Sequence, residues 1–150
     1  QGRTGALNDT VASDGWNLVT QQTAEWNSEK AQQIVQSVID SGKSFNVIYA
    51  ENDDMAKGAV AALDKANIPH GVGKDVIVMG FDCNKWALEE LLNQNWNYDG
   101  QCNPFQASYI DDIIKKIENG ETISEKTIIM DEKGFDATTI TQEDVDNYGI

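Results

Sequence analysis

Cysteine, proline and histidine are scarce in this chain of 150 residues, which contains two cysteines, two prolines and one histidine. The cysteines, Cys83 and Cys102, are too few for a disulfide framework, and neither has the C-x-x-C spacing of a zinc site. His70 lies in a loop with proline and glycine, where a surface role is a better interpretation than general-base catalysis. Nucleophile-elbow, P-loop and G-x-G-x-x-G patterns are absent. We therefore predict a protein that is not an enzyme and binds no metal or cofactor.

Basic residues are few as well, with 11 Lys and Arg against 25 Asp and Glu and a net charge of −14. A surface of this charge repels nucleic acids and anionic lipids, so we expect neither as a partner. No apolar run approaches the roughly 18 residues of a membrane span, and no secretory signal pattern is present, so any export signal has been removed or lies outside this sequence. Neutral sugars and cations are the ligands that this charge leaves open.

The composition is that of a folded protein, with 40% apolar and 24% charged residues, and the length suits a single domain. Apolar residues three and four positions apart predict helices at residues 3–14, 28–41, 55–66, 85–93 and 104–120, and a capping pattern at 141–144 predicts a further short helix. Short runs of β-formers predict strands at residues 16–20, 45–50, 75–82, 97–102 and 126–130, with a turn at 133–134.

Strands that alternate with amphipathic helices predict an α/β fold with an open, mainly parallel sheet flanked by helices. In such sheets ligands bind beyond the carboxyl ends of the strands. The residues that follow the predicted strands include acids, amides and an aromatic, at 23–26, 51–54, 82–84 and 102–104. We expect these four segments to converge on one edge of the sheet.

Carboxylates, amides, arginines and aromatic rings together suit a sugar, because they match its hydroxyls and its apolar C–H faces. Each candidate also has a structural alternative. Asn52 and Asp53 stand where a helix N-cap belongs, Asp82 could solvate a turn, and Trp26 could be ordinary packing. The acids of residues 51–54 would also suit Mg²⁺ or Ca²⁺, although their spacing is not that of a regular cation loop.

Two segments give the chain a family resemblance, YAENDDMAKGA at residues 49–59 and KDVIVMGFD at residues 74–82. Both resemble the ribose- and galactofuranose-type periplasmic sugar-binding proteins of ABC transporters. QQTAEW at 21–26 supports the resemblance, and CNP at 102–104 is more similar to the galactofuranose branch. The resemblance covers nearly the whole chain, but only as the C-terminal half of a family member. It implies that the N-terminal region and the first strand of the second lobe lie outside this sequence.

The resemblance also implies roles for particular residues by their positions in the family's motifs. Arg3 matches an arginine that reaches ligand hydroxyls, and Trp26 matches the aromatic that stacks on the sugar. Asn52 matches an amide that hydrogen-bonds the sugar, and Asp82 matches a carboxylate that binds two hydroxyls. Cys102 stands where many members have a glutamine ligand. We expect the side chains of the first four residues to project into a common hollow that holds a monosaccharide, either a pentose or a hexose and including furanose forms.

The same resemblance has consequences beyond the sugar site. Cys83 directly follows the binding aspartate and Cys102 ends the next strand, so a disulfide between them is one expectation, which an exported protein would permit. Family members work outside the cytoplasm, in the periplasm or lipid-anchored at the outer face of the membrane, and close two lobes around the sugar before presenting it to an ABC permease. Residues from about 104 to 130 normally return to the first lobe. Without it, an exposed isoleucine stripe predicts either self-association or a rearranged fold: Ile110, Ile113, Ile114 and Ile117.

The main alternative is the effector-binding domain of a LacI-type transcriptional regulator, which shares the predicted fold and a similar Gly-Phe-Asp strand. The NDDMAKGA run and the acidic surface favour the importer protein, because a repressor must approach DNA. An enzyme of flavodoxin-like or receiver type is a weaker alternative, since no residue pattern supplies catalytic roles.

Overall fold

The structure is a computed structural model that describes residues 2–150. Its sheet contains four strands in the order in which they follow along the chain: β1 (Val47–Tyr49), β2 (Ile77–Asp82), β3 (Tyr98–Gln101) and β4 (Gly134–Asp136). β1, β2 and β3 are parallel, and β4 is antiparallel to β3. The predicted open, mainly parallel α/β sheet is therefore confirmed. The parallel pairing brings the carboxyl ends of β1, β2 and β3 to one edge.

Six helices accompany the sheet: α1 (Gly2–Asp14), α2 (Ser28–Asp40), α3 (Asp53–Lys65), α4 (Lys85–Leu92), α5 (Ala107–Glu118) and α6 (Gln142–Tyr148). All the helices predicted from apolar spacing are present, with ends that differ by up to three residues. The side-chain oxygens of Asn27 and Asn52 accept the backbone N–H groups of Lys30 and Met55, so amides cap α2 and α3. Thr141 and Asp144 form a reciprocal capping box at α6.

The core lies between the sheet and the buried faces of α3, α4 and α6. Leu63, Val78, Leu88 and Trp96 are among its fully or almost fully buried side chains. Helices α2 and α3 pack closely at Gly58, where an added Cβ would lie only 2.0 Å from the carbonyl oxygen of Ser28. Helices α1 and α5 contain no buried residue, so neither belongs to this core. No helix among residues 2–150 is long and apolar enough to cross a membrane.

Two predicted strands are wrong. Residues 16–20 and 126–130 form no hydrogen-bonded ladder with any described strand, although both are rich in β-formers. Most of these side chains are exposed, including Trp16 and Ile129. Alternating or β-branched residues favour an extended backbone, but a strand also needs a neighbouring strand to accept and donate hydrogen bonds. Residues 16–20 instead line a groove opposite β1, which is an edge strand.

The predicted turn at residues 133–134 is replaced by the start of β4, which the sequence did not reveal. β4 is only three residues long, and Phe135 is its one buried side chain. It pairs with β3 through Asp99 and Phe135, and Tyr98 faces Asp136. A strand this short contains less than two alternation periods, so its pattern is indistinguishable from that of a loop.

Candidate functional site

An arginine on the first helix reaches the carboxyl ends of two strands. Arg3 Nη2 lies 3.0 Å from Asp82 Oδ1, and Arg3 Nη1 donates to the carbonyl oxygen of Glu51. The guanidinium carbon lies 4.9 Å from the centre of the Phe81 ring, which adds a cation–π contact. The side chains of Arg3 and Asp82 are 24% and 29% exposed, so the pair is screened from bulk water but still open to a ligand.

Two further contacts fix the N-terminal turn of α1 against the sheet, and a ring contact joins β1 to β2 beside it. The hydroxyl of Tyr49 donates to the carbonyl oxygen of Arg3 over 3.2 Å, and the Thr4 hydroxyl donates to the Glu51 carboxylate. The rings of Tyr49 and Phe81 meet edge to face with 5.2 Å between their centres. Burial, and then the nearby Glu51 carboxylate, raise the pKa of Tyr49, which favours the protonated hydroxyl that donates this bond. Arg3 is therefore held from both its backbone and its side chain.

The turn after β2 has an unusual backbone that separates two neighbouring side chains. Asp82 and Cys83 have φ values of 117° and 62°, in the left-handed region that residues with a Cβ seldom adopt. Asp82 turns its carboxylate toward Arg3, whereas the Cys83 side chain is completely buried. Strained backbone of this kind persists only where surrounding contacts hold it. The simple turn-solvating alternative for Asp82 is thus replaced by an ion pair.

Asn52 follows β1 and is 7% exposed. Its side-chain oxygen accepts the backbone N–H of Met55 over 2.9 Å, so the helix-capping alternative is correct as a description of this oxygen. The amide group also has an NH₂, which makes no side-chain hydrogen bond among residues 2–150. A cap and a ligand contact are therefore compatible, because they use different atoms of one side chain.

Trp26 is 63% exposed, so the alternative of ordinary core packing is wrong. It lies at the left-handed turn before α2, with a φ of 59°. Its side chain lines a groove of about 940 Å³ between residues 16–26, α1, α2 and β1. Thr4 and Glu51 line the same groove, whereas Arg3, Asn52 and Asp82 do not. The structure thus pairs Arg3 with Asp82 directly and relates them to Trp26 through Thr4 and Glu51.

The disulfide expected between Cys83 and Cys102 is not formed, and both cysteines are free thiols. Cys83 is buried and its Sγ donates to Asp99 Oδ1 over 3.8 Å, while Cys102 is exposed. The left-handed backbone at Cys83 turns the thiol into the core, away from the surface where Cys102 lies. Proximity of two strand ends therefore did not bring their thiols together. Cys102 remains a candidate ligand residue only by its position after β3.

The acids at residues 51–54 do not form a cation site. Glu51 accepts a hydrogen bond from Thr4, Asp53 is fully buried and Asp54 is exposed, so their carboxylates point to different places. Within residues 2–150 no three histidine, cysteine, aspartate or glutamate side chains are grouped as a metal site would require. His70 contacts Asp64 and the carbonyl oxygen of Asn95, which is a structural role.

Some residues of the site were missed by the sequence analysis. Arg3 is positioned by Thr4, Tyr49 and Phe81. No spacing pattern in a sequence marks a residue that contacts a different element through its hydroxyl or ring. Glu51 was considered only as an acid, yet its carbonyl oxygen is the atom that accepts from Arg3. The one sequence signal that could have identified Tyr49 and Phe81 is their position at, or one residue before, the carboxyl end of a parallel strand.

Comparisons with known proteins agree with this architecture. The fructose import binding protein FruE of Bifidobacterium longum is 31% identical over 132 residues, which cover 87% of this chain and 38% of that protein. The galactofuranose-binding protein YtfQ of Escherichia coli is 25% identical over 112 residues, covering 73% of this chain and 35% of its own. The arabinose ABC transporter binding protein of Shewanella sp. ANA-3, solved with L-arabinofuranose, superposes with a TM-score of 0.82 at 22% identity, covering 91% of this chain and 45% of that one.

The chain therefore spans less than half the length of each of these relatives. The family model described as a periplasmic binding protein domain matches residues 1–119, which is most of the chain. Both the fold and the residues at the carboxyl edge of the sheet lie largely within that match. The chain belongs to the periplasmic binding protein domain family.

Proposed function

We propose that this chain is one lobe of the sugar-binding component of an ABC importer. The observation that carries the proposal is the Arg3–Asp82 ion pair, which is partly exposed at the carboxyl edge of the sheet. A guanidinium offers donors in a fixed fork and a carboxylate offers acceptors, so the pair matches vicinal hydroxyls, each of which donates and accepts. Fixing both groups before the ligand arrives reduces the entropy lost on binding.

The remaining predicted contacts complete a polyol site around this pair. The free NH₂ of Asn52 would donate to a hydroxyl, and the exposed Trp26 ring would cover an apolar face of the sugar. Cys102 would lie at the margin as a weak donor. Closure of a second lobe would enclose a sugar bound at this edge, where Thr4 and Glu51 connect the Arg3–Asp82 pair to the groove that Trp26 lines.

The ligand class is a monosaccharide, either a pentose or a hexose and including furanose forms. FruE is a fructose import protein and YtfQ binds galactofuranose, so the relatives point to small neutral polyols. A neutral ligand also agrees with a net charge of −14, which would repel an anion. The protein would work outside the cytoplasm, periplasmic or lipid-anchored, and deliver its ligand to an ABC permease.

We also propose that residues from about 104 to 130 pack on the other lobe. α5 presents an exposed apolar stripe at Ile110, Ile114 and Ile117 and contains no buried residue. Such a stripe on an isolated lobe favours self-association. Sedimentation of the chain should show concentration-dependent association that is abolished by Ile110→Lys together with Ile114→Lys. Association unchanged by the two substitutions would exclude α5 as the surface involved.

A binding role explains the arrangement better than the alternatives. The relatives reported above are transport proteins, which disfavours the LacI-type regulator. Arg3 and Asp82 neutralise each other, the Thr4 hydroxyl donates to Glu51 and the Cys83 thiol is buried, so the site offers binding groups rather than a catalytic pair. The chain would therefore contribute affinity and specificity, and no chemical step.

Calorimetry on the polypeptide that contains both lobes tests the proposal. Titration with fructose, ribose, arabinose and galactofuranose should give binding to at least one sugar. Asp82→Ala and Trp26→Ala should each weaken that binding by at least about 10-fold, equivalent to about 1.4 kcal/mol. Lys43→Ala is a control, because Lys43 is exposed and precedes β1, at the end of the sheet opposite to the carboxyl edge. Binding of no sugar by a folded two-lobe protein, or unchanged affinity in both variants, would contradict the proposal.

A further inference from the structure

Two aspartates lie completely buried beneath the candidate site. Asp53 is the first residue of α3 and Asp99 belongs to β3, and both have 0% exposure. Ionised carboxylates are almost never buried without a cationic partner, because removing a charge from water costs several kcal/mol. Neither residue forms an ion pair with any lysine, arginine or histidine in residues 2–150. Some other arrangement must therefore make this burial tolerable.

The hydrogen bonds of the two carboxyls leave one oxygen on each without a partner. Asp53 Oδ2 accepts from the backbone N–H and the side-chain amide of Asn84, over 2.8 and 3.0 Å. Asp99 Oδ1 accepts from the Cys83 thiol over 3.8 Å. The remaining oxygens, Asp53 Oδ1 and Asp99 Oδ2, are buried and unpartnered. Two unsatisfied acceptors in one core are rare and require an explanation.

The two unpartnered oxygens face the same point in the core. An ideal Cβ added to Gly80, the β2 residue between them, would lie 2.7 Å from Asp53 Oδ1 and 3.5 Å from Asp99 Oδ2. Gly80 therefore leaves the space in which the two carboxyls approach each other across the central strand. The ring of Trp96 closes this space from another side, 3.0 Å from the same point. Two carboxyl oxygens that approach in a dry space satisfy each other only if one of them carries a proton.

We propose that Asp53 and Asp99 share one proton, carried by Asp99 Oδ2 and donated to Asp53 Oδ1, and that this bond positions the Asp82–Asn84 turn. The proposal leaves every polar atom of the pair satisfied. It makes Asp53 the carboxylate, with three donors around it, and Asp99 the neutral acid. It concerns the fold of the chain itself and does not depend on the proposed ligand.

The electrostatic surroundings favour the same assignment. Burial, followed by the neighbouring Asp53 charge, raises the pKa of Asp99 to about 9. Burial also raises the pKa of Asp53, but hydrogen bonds from Asp99 and Asn84 oppose that rise. The other titratable groups that act on the pair are Asp82 and Cys83, both in or next to β2, and neither supplies positive charge. Among residues 2–150, no cation acts on the pair in competition with the shared proton.

The shared proton reaches the candidate site through the turn after β2. Asn84 donates to Asp53, Cys83 donates to Asp99, and Asp82 precedes them with its carboxylate on Arg3. Asp82 and Cys83 both have positive φ, so this turn depends on its hydrogen bonds to keep its shape. Loss of the proton would leave two carboxylates in contact in the core, and their repulsion would release the turn. Asp53 and Asp99 are thus positioning residues for Asp82.

The pH dependence of stability gives the first test. The pKa of Asp99 is higher in the folded chain than in the unfolded chain. The contribution of its proton to the free energy of unfolding is therefore fully present below about pH 4 and is lost as the pH rises toward about 9. Asp99→Asn keeps a donor toward Asp53 Oδ1 and removes the ionisation. We expect its melting temperature to exceed that of the unsubstituted chain by at least about 3 °C at pH 8, with a flatter profile between about pH 5 and 9.

Asp53→Asn distinguishes a specific proton position from a general preference for neutral side chains. An amide at residue 53 directs NH₂ toward Asp99 and removes the charge that Asn84 binds, so we expect a lower melting temperature than for Asp99→Asn. Asp54→Asn is the matched control, because Asp54 is the exposed neighbour on α3 and its loss of charge should leave the pH profile unchanged. Equal effects of the substitutions at residues 53 and 99, or a profile unaffected by Asp99→Asn, would overturn the assignment.

Carbon-13 NMR of the aspartate Cγ atoms tests the proposal without any need for a variant to fold. One Cγ resonance should remain that of a protonated carboxyl at pH 7 and titrate near pH 9. The resonance should disappear in Asp99→Asn if that variant folds, and amide signals of residues 82–84 should shift over the same pH range. A spectrum in which every aspartate is ionised at pH 7 would refute the shared proton.

Discussion

Arg3 and Asp82 are 79 positions apart in sequence, yet their side chains form an ion pair 3.0 Å long at the carboxyl edge of the sheet. The pair joins α1, which has no buried residue of its own, to the end of the central strand β2. The same arginine also bonds to the carbonyl oxygen of Glu51 after β1. One side chain therefore links a peripheral helix with two strand ends, and the attachment of α1 depends on it.

Arg3→Ala should release α1 from the sheet. Loss of the ion pair, the bond to Glu51 and the contact with Phe81 leaves the Tyr49 and Thr4 hydrogen bonds to the strand ends and the Asn8–Gln21 hydrogen bond to the following segment. We expect faster hydrogen exchange across residues 2–14, with a global cost of only about 1 kcal/mol because the pair is partly exposed. Exchange at residues 2–14 that matches the unsubstituted chain would show that α1 is held by other contacts.

Asn52→Ala should separate capping from ligand binding when it is compared with Asn27→Ala. Both amides accept a backbone N–H over 2.9 Å at the start of a helix, so each substitution should cost about 1 kcal/mol of unfolding free energy. Only the substitution at Asn52 should weaken sugar binding in the two-lobe polypeptide, because Asn27 makes a cap before α2. Chemical denaturation gives the first quantity and calorimetry the second. Equal affinities of the two variants would reduce Asn52 to a cap.

Gly58→Ala should disrupt the packing of α3 on α2. The added methyl group would lie 2.0 Å from the Ser28 carbonyl oxygen, and backbone atoms must move to relieve the clash. We expect a loss of about 1–3 kcal/mol or more in denaturant unfolding. Gly5→Ala in α1 is the control, since no atom lies within 4 Å of its added Cβ. That control should be neutral or stabilise the helix by up to about 1 kcal/mol, because alanine favours helix more than glycine does.

Thr141→Ala should raise the pKa of Asp144 toward its ordinary value. Hydrogen bonds from the Thr141 side chain and backbone are the main cause that holds the pKa of Asp144 below that value. A depressed pKa stabilises the folded chain above the unfolded pKa, and this contribution is lost as the pH falls through the folded pKa. The Asp144 Cγ resonance should therefore titrate at a higher pH in the variant, while that of Asp136, which Thr138 bonds, should not move. A simultaneous shift at both aspartates would point to a global change instead.

The elements that sequence analysis located are those with strong local signals. Helices α2, α3 and α5 carry apolar stripes at helical spacing, and glycine or an amide marks their ends. The failures share a cause. Residue types typical of strands occur at 16–20 and 126–130, but no described strand lies beside either segment to pair with it. β4 does pair with a neighbouring strand, but its three residues are too few to indicate a strand. Strand pairing depends on which segment lies alongside in the folded chain, and the local residue pattern does not identify that neighbour.

The candidate site was likewise predicted from the sequence only in part. The parallel pairing of β1, β2 and β3 brings residues 51–54, 82–84 and 102–104 to one edge, and the structure joins Arg3 of α1 directly to Asp82 there, while the ligand-binding roles of both stay predictions. The predicted common hollow for Arg3, Trp26, Asn52 and Asp82 stays a prediction, since Trp26 lines a groove that the other three do not. The disulfide was wrong because side-chain direction at Cys83 depends on a left-handed backbone that no spacing rule anticipates.

The amino-acid sequence by itself determined the alternation of helices and strands, the parallel character of the sheet and the edge at which polar residues collect. These features follow from periodicity and from the handedness of β-α-β connections, which are local properties. Only the tertiary structure decided that Glu51 binds Arg3, that Cys83 turns inward, and that Asp53 and Asp99 meet over Gly80. These contacts join residues from different elements, and their energies depend on burial and distances that exist only after the chain has folded.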